Sequence, residues 1–398
     1  MADKLADKLD WIREETQALK DAGLYRNIRT IESPQDDWFY IDGKRYLNFC
    51  SNNYLGLANH PALKEAAKDA VNRFGAGPGA VRVISGTNSL HIQLEQRIAE
   101  FKQVEDALFL TSGYNANLGT LEALVGKEDV IFSDELNHAS IIDGARLSRA
   151  RVVRFNHADP QDLEAKIREN DGTYRRGLVV TDGVFSMDGD IAPLDRLYEV
   201  AERHGLMLMV DDAHGEGVLG RNGRGIVDHF NLHGKVDVEI GTFSKAFGVA
   251  GGVAAGKKDV IEWLRQRART FVFSSAATPA DTGACLAAID LVESSPGLVE
   301  SLWKSANYFK ENLNKMGFDT GPSQTPILPV MIGDANTAQE FSRKLFEHRI
   351  FATPIAYPIV AKGMARIRVM ISAAHRQKCL DYGLEGFERI GKEMGLIA

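Results

Sequence analysis

The chain is poor in the features that mark most specialised protein classes. It has three cysteines in 398 residues, Cys50, Cys285 and Cys379, and they share no metal-ligand spacing. So sparse and odd a count argues against a secreted disulfide scaffold and for a reducing cytoplasm. No run of about 18 apolar residues is present to span a bilayer. The opening stretch from Met1 to Lys20 is charged and helix-like, unlike a signal peptide. Positive charge is not in excess: the formal net charge of −7 excludes a protein that grips nucleic acid by neutralising phosphates. No G-x-G-x-x-G opens the first helix, which speaks against dinucleotide binding. Internal repeats and low-complexity segments are also missing.

What is present describes an ordinary globular protein, 44% hydrophobic and 25% charged, long enough for two or three domains. Residues 1–50 read as a helix, from about Leu5 to Ala22 and stopped by Gly23, followed by a hairpin turning at Asp42-Gly43. Residues 51–293 alternate helical periods with short apolar runs such as Leu178-Val179-Val180 and Met207-Leu208-Met209-Val210. That texture predicts an α/β fold with a mostly parallel sheet covered on both faces. Residues 294–398 change texture and predict a smaller C-terminal α+β domain. Ligands of parallel sheets sit beyond the carboxyl ends of the strands, so chemistry is expected at those positions.

Each strand end carries something. After Leu110 a small-residue turn, Ser112-Gly113-Tyr114, opens a helix whose free amides suit an anion. After Phe132 comes His138, placed to stack on a planar ring. After Val180 come Asp182 and Ser186, flanking an apolar pair that turn chemistry does not explain. The apolar run ending at Val210 delivers Asp211 and then His214. A carboxylate at a buried strand end is costly unless a cation meets it. Zinc fails as that cation for want of a third ligand at useful spacing. Finally, Gly241-Thr242-Phe243-Ser244-Lys245 holds a lysine between small residues, where desolvation would lower its pKa and favour attack on an aldehyde. A phosphate at Gly113, Tyr114 and Thr242, a ring stacked by His138, a basic ring nitrogen at Asp211, a ring oxygen at His214 and an aldehyde at Lys245 describe pyridoxal 5'-phosphate.

The chain also resembles the α-oxoamine synthase group of fold-type I pyridoxal-phosphate enzymes, whose fold is aspartate aminotransferase-like. The resemblance spans nearly the whole chain. It is carried by Asn48–Pro61, Ser133–Gly144, Thr181–Gly189, Val210–His214, Ala365–Arg368 and Ser372–His375. It implies that Lys245 holds the cofactor covalently and later shuttles a proton. The cofactor's other contacts are implied at Gly113, Tyr114, His138, Asp182, Ser186, Asp211, His214 and Thr242. Ser274 and Ser275 match a pair reaching the phosphate across a homodimer interface, so active sites would be shared. Arg368 matches the arginine gripping the substrate carboxylate, and Asn52 and His138 also match substrate contacts. The co-substrate is a coenzyme A thioester.

Within the group the expectation is glycine C-acetyltransferase, joining glycine and acetyl-CoA in threonine breakdown. The alternatives are 8-amino-7-oxononanoate synthase, joining alanine and a pimeloyl thioester in biotin synthesis, and a broad-specificity synthase. For the former, Arg26 or Arg29 would meet the distal acyl carboxylate. Neither metal, membrane nor nucleic acid is expected as a partner.

Overall fold

The computed structural model describes residues 2–21, 25 and 28–398. The first helix covers Ala2–Asp21; the stop expected at Gly23 lies outside the described residues, as does Arg26. The hairpin forms as read, with β1 (Trp38–Ile41) antiparallel to β2 (Lys44–Asn48). Asp42 and Gly43 take φ of 49° and 65° at its turn. Two left-handed residues in succession suit the twist of paired strands, which is why Asp-Gly serves there. The helix Pro61–Phe74 follows, capped by His60.

The alternating region builds β3 (Asp106–Leu110), β4 (Val130–Asp134), β5 (Arg151–Phe155), β6 (Gly177–Asp182), β7 (Met207–Asp211), β8 (Val238–Thr242) and β9 (Gly252–Gly256). They form one sheet, ordered β3-β9-β8-β7-β6-β4-β5. Neighbours run parallel except at β9, which opposes both β3 and β8. Side chains alternate into two cores. Phe109, Phe132, Val179 and Val210 enter one, and Leu108, Ile131, Val180 and Met209 enter the other. Fully burying a side chain of this size contributes about 1.5–3 kcal/mol, which is why both faces are predominantly apolar. The carboxyl ends of β3, β4, β6, β7 and β8 therefore line one edge.

Helices Pro279–Ser294 and Gly297–Met316 lead into β10 (Ile327–Gly333), β11 (Ile350–Phe351), β12 (Pro354–Ile355) and β13 (Ala365–Met370), and helix Gln377–Glu393 follows. β10, β13 and β12 make an antiparallel sheet. β11 instead pairs parallel to β2, Ile350 opposite Leu47, so the N-terminal hairpin shares a sheet with the C-terminal part. Among the described residues no helix is long and apolar enough to cross a membrane.

Two buried charge clusters brace the edge. Lys102, the last residue of helix Ser89–Lys102, places Nζ 2.8 Å from Glu216 Oε1, 3.0 Å from Glu239 Oε2 and 3.8 Å from Asp212 Oδ2. Burial opposes its charge, but the three carboxylates outweigh burial and hold the ammonium above its ordinary range. One cation does not neutralise three anions, and burial pushes the Asp212 and Glu239 carboxyls up. In the second cluster, His157 lies 3.1 Å from Asp134 Oδ1 through Nδ1 and 2.8 Å from Asp190 Oδ2 through Nε2. Its ring meets Phe185 edge-on at 4.3 Å. It thus ties the end of β4 to the turn that carries Ser186.

Lys102→Met removes the one cation from its cluster. The expected loss is about 3–5 kcal/mol at neutral pH by urea denaturation. The loss should shrink as pH falls and the carboxyls take up protons. A loss that grows toward acid would contradict the charge account.

Burial works against a charged His157, yet Asp134 and Asp190 raise its pKa from 6.5 to about 10. A raised folded-state value means the stabilisation is fully present below pH 6.5 and fades as pH rises through about 10. His157→Gln should therefore cost about 2 kcal/mol at pH 6 and little near pH 10. Urea midpoints of both proteins across that range test it.

Candidate active site

Five strand ends converge on one cavity of about 220 Å³. At β3 the chain turns into helix Gly113–Leu124, where Ser112 Oγ accepts from the Asn115 N–H at 3.1 Å. The Gly113 and Tyr114 amides start that helix and have no intrahelical acceptor. The antiparallel β9 presses against this turn: a Cβ on Gly252 would lie 2.1 Å from the Ser112 carbonyl, so only glycine admits the approach. At β4, His138 caps helix Ala139–Ser148, its Nδ1 2.7 Å from Ser140 Oγ. At β6, Asp182 Oδ2 accepts from the His138 N–H at 3.1 Å. At β7, Asp211 Oδ1 accepts from the Ala213 N–H at 3.0 Å. At β8, the Thr242 hydroxyl donates to Gly251 O at 2.9 Å, and Lys245 follows three residues later in a tight turn.

Gly113, Tyr114, His138, Asp182, Ser186, Asp211, His214, Thr242 and Lys245 all line this cavity. Lys245 is half-buried rather than a free surface lysine. Burial lowers its pKa, against the opposing charges of Asp211 and Asp182. Burial also lowers His138 and holds His214 well below the usual histidine range, with Lys245, Arg368 and His138 adding to the effect at His214. Asp182 moves the other way, raised by burial and by the charge of Asp211.

Four expected residues lie outside the lining. Arg368 donates from Nη1 to Ser186 O at 3.1 Å, and its charge reaches both Lys245 and His214. Asn52 has a buried Oδ1 without a partner among the described residues. Ser274 donates to Ser275 O at 3.5 Å, and Ser275 is exposed beside Val81. Arg29, considered for an acyl carboxylate, lies over the Phe346 ring at 3.8 Å. A larger groove of about 500 Å³, lined by Arg175, Arg267 and Trp263, sits at the amino ends of the strands and holds none of these residues.

Sequence reasoning overlooked two residues that organise the cavity. Asn117 donates from Nδ2 to Asp211 Oδ2 at 2.6 Å and to Ser140 Oγ at 2.9 Å. Its signal was available: it stands one helical turn after Gly113 and shares that face. Tyr54 places its hydroxyl 2.7 Å from His214 Nδ1, a contact spanning 160 residues that no local pattern reveals.

These residues fit pyridoxal 5'-phosphate. The cavity supplies helix-start amides for a phosphate, and a lysine of lowered pKa for an aldehyde. Buried Oδ1 atoms of Asp182 and Asn117 are left without partners among the described residues. Among the described residues, no group of His, Cys, Asp and Glu is arranged to hold a metal ion.

Residues 44–387 match the aminotransferase class I and II family. An 8-amino-7-oxononanoate synthase of Thermosipho melanesiensis is 58% identical over 384 residues, 96% of this chain and 98% of that protein. A high-resolution structure of a serine palmitoyltransferase with pyridoxal phosphate as internal aldimine has a TM-score of 0.93 at 31% identity, covering 99% of this chain and 100% of that one. An 8-amino-7-oxononanoate synthase from Francisella tularensis has a TM-score of 0.76 at 29% identity, covering 87% and 98%. Backbone shape and identity thus point to different members. Identity is the better guide to substrate, because side chains choose substrates while the backbone is common to the group. The expectation of glycine, acetyl-CoA and threonine breakdown is overturned by the 58% relative. The motifs behind that expectation mark the group as a whole and do not separate its members. The chain belongs to the aminotransferase class I and II family, as a fold-type I, pyridoxal-phosphate-dependent α-oxoamine synthase.

Proposed function

We propose that this enzyme is an 8-amino-7-oxononanoate synthase, joining alanine to a pimeloyl thioester of coenzyme A in cytoplasmic biotin synthesis. The observation that carries the reading is 58% identity across nearly the full length of a protein of that name. The cavity chemistry is consistent with it. A nine-carbon product from a seven-carbon acyl group and a three-carbon amino acid requires one carbon to leave, as carbon dioxide. The new bond joins the amino acid α-carbon to the thioester carbonyl carbon. The carbon–sulfur bond breaks, and the thiol departs with a proton.

When bound, pyridoxal phosphate supplies an electron sink that acidifies the amino acid's α-proton. Gly113, Tyr114 and Thr242 would hold its phosphate, His138 would stack on the ring, and Asp211 would face the ring nitrogen. Asn117 keeps Asp211 oriented for that contact. Lys245 has a lowered pKa, which gives it the neutral amine needed to attack a carbonyl. Lys245 Nζ would take the α-proton and return it. Arg368 would grip the substrate carboxylate, for which a planar two-pronged donor is suited.

A homodimer completes this reading, with Ser274 and Ser275 of a second copy reaching the phosphate. In support, Phe273 and Ile84 are 69% and 80% exposed beside that segment, large apolar surface that a second copy would cover.

Release of coenzyme A should be fastest with alanine and pimeloyl-CoA, with equimolar carbon dioxide, among pairings of glycine, alanine or serine with acetyl-, pimeloyl- or palmitoyl-CoA. Lys245→Ala should abolish it. Faster turnover of serine with palmitoyl-CoA would replace this reading with the one the backbone similarity favours.

The two arginines of β13 divide their work. Arg366 is 2% exposed, paired with Asp188 and donating to Met187 O at 3.0 Å. Arg366→Ala should chiefly destabilise, by about 3–5 kcal/mol, because it strands a carboxylate. Arg368→Ala should raise the alanine KM about ten- to a hundredfold and leave the cofactor absorbance intact. A larger KM effect at Arg366 would reverse the assignment.

A further inference from the structure

His214 has one side-chain partner among the described residues, the Tyr54 hydroxyl, 2.7 Å from Nδ1. Both residues are buried, Tyr54 at 0% and His214 at 8% exposure. Tyr54 enters from the loop between β2 and helix Pro61–Phe74, and its carbonyl accepts from the Ala373 N–H at 2.7 Å. The rings meet edge-on, at 79° and 6.1 Å between centroids. The contact is therefore held from both sides by packed structure.

Two proton arrangements satisfy that distance. The phenol donates to an unprotonated Nδ1, or a protonated Nδ1 donates to the phenol oxygen. In the second, the phenolic hydrogen is buried with no acceptor, since the hydroxyl has no other partner among the described residues. A buried donor without a partner is penalised, whereas the first arrangement pairs both the phenol and Nδ1 and leaves only Nε2–H to the cavity. A charge-separated pair is also disfavoured. Burial keeps the phenol protonated, against the pull of Arg368, and keeps the imidazole neutral, reinforced by Lys245, Arg368 and His138. A neutral ring with Nδ1 closed carries its hydrogen on Nε2, and His214 lines the cavity.

We propose that Tyr54 is a positioning residue that locks His214 as the Nε2–H tautomer, so that the cavity receives one fixed N–H donor at that point. Such a donor selects a ligand oxygen that accepts, a phenolate or carbonyl, over one that donates. The tautomer does not depend on the proposed reaction. Only the naming of the acceptor, the cofactor's ring oxygen, rests on that reading.

Nitrogen-15 NMR of the histidine-labelled full chain, with and without pyridoxal phosphate, tests this, with His214→Asn assigning the signal. The expected spectrum shows a protonated Nε2 and an unprotonated Nδ1 from pH 6 to 9. A protonated Nδ1 overturns the proposal. Tyr54→Phe removes only the hydroxyl. It should populate both tautomers and weaken pyridoxal phosphate binding about tenfold. Unchanged His214 signals with unchanged cofactor affinity in a folded Tyr54→Phe protein would reduce Tyr54 to a packing role and also overturn the proposal. Wild type that binds no pyridoxal phosphate would sink the functional reading while leaving the tautomer measurable.

Discussion

The active edge hangs on a buried ammonium. Lys102 neutralises Glu216, and Glu216 can then spend its second oxygen on the Thr242 N–H, 3.0 Å away. Thr242 in turn accepts from the Ser244 N–H at 3.3 Å, one residue before Lys245. A charge on the last residue of one helix thus reaches the residue before Lys245 through three hydrogen-bonded steps. Without it, Glu216 would be a buried anion with one amide for company, and the turn would lose its anchor to β8.

The same edge sets two acids side by side. Asp182 and Asp211 are register partners across the parallel strands β6 and β7. Burial first, and then the neighbouring Asp211 charge, raise the Asp182 carboxyl above its ordinary range. Asn117 holds the other partner in place.

Strand runs such as Leu178–Val180 were legible in the sequence because burial on both faces leaves a short, wholly apolar signature. The chemistry at their ends was legible for a related reason: His138, Asp182, Asp211 and Lys245 sit where a merely structural turn has no use for them. Strand order was not legible, since the antiparallel insertion of β9 depends on Gly252 meeting the Ser112 carbonyl, a tertiary fact. Lys102 reads locally as a basic residue ending a helix, indistinguishable from a solvated one. Its role appears only when β7 and β8 bring up the carboxylates. Acyl choice was misread because the motifs read from the sequence, around Lys245, Asp211 and Arg368, are ones that members of the group have in common.

The pairing of β2 with β11 joins residues 47 and 350 in one sheet. During synthesis the hairpin emerges early, yet its third strand leaves the ribosome only after most of the chain has been made. A lone two-stranded hairpin is marginal in water, so this part of the fold waits for its partner. Large-sheet strands, whose partners lie closer in sequence, can assemble first. The join between these distant parts of the chain then closes late. A ribosome stalled short of residue 350 would carry a nascent chain with its large sheet formed and its hairpin still unpaired.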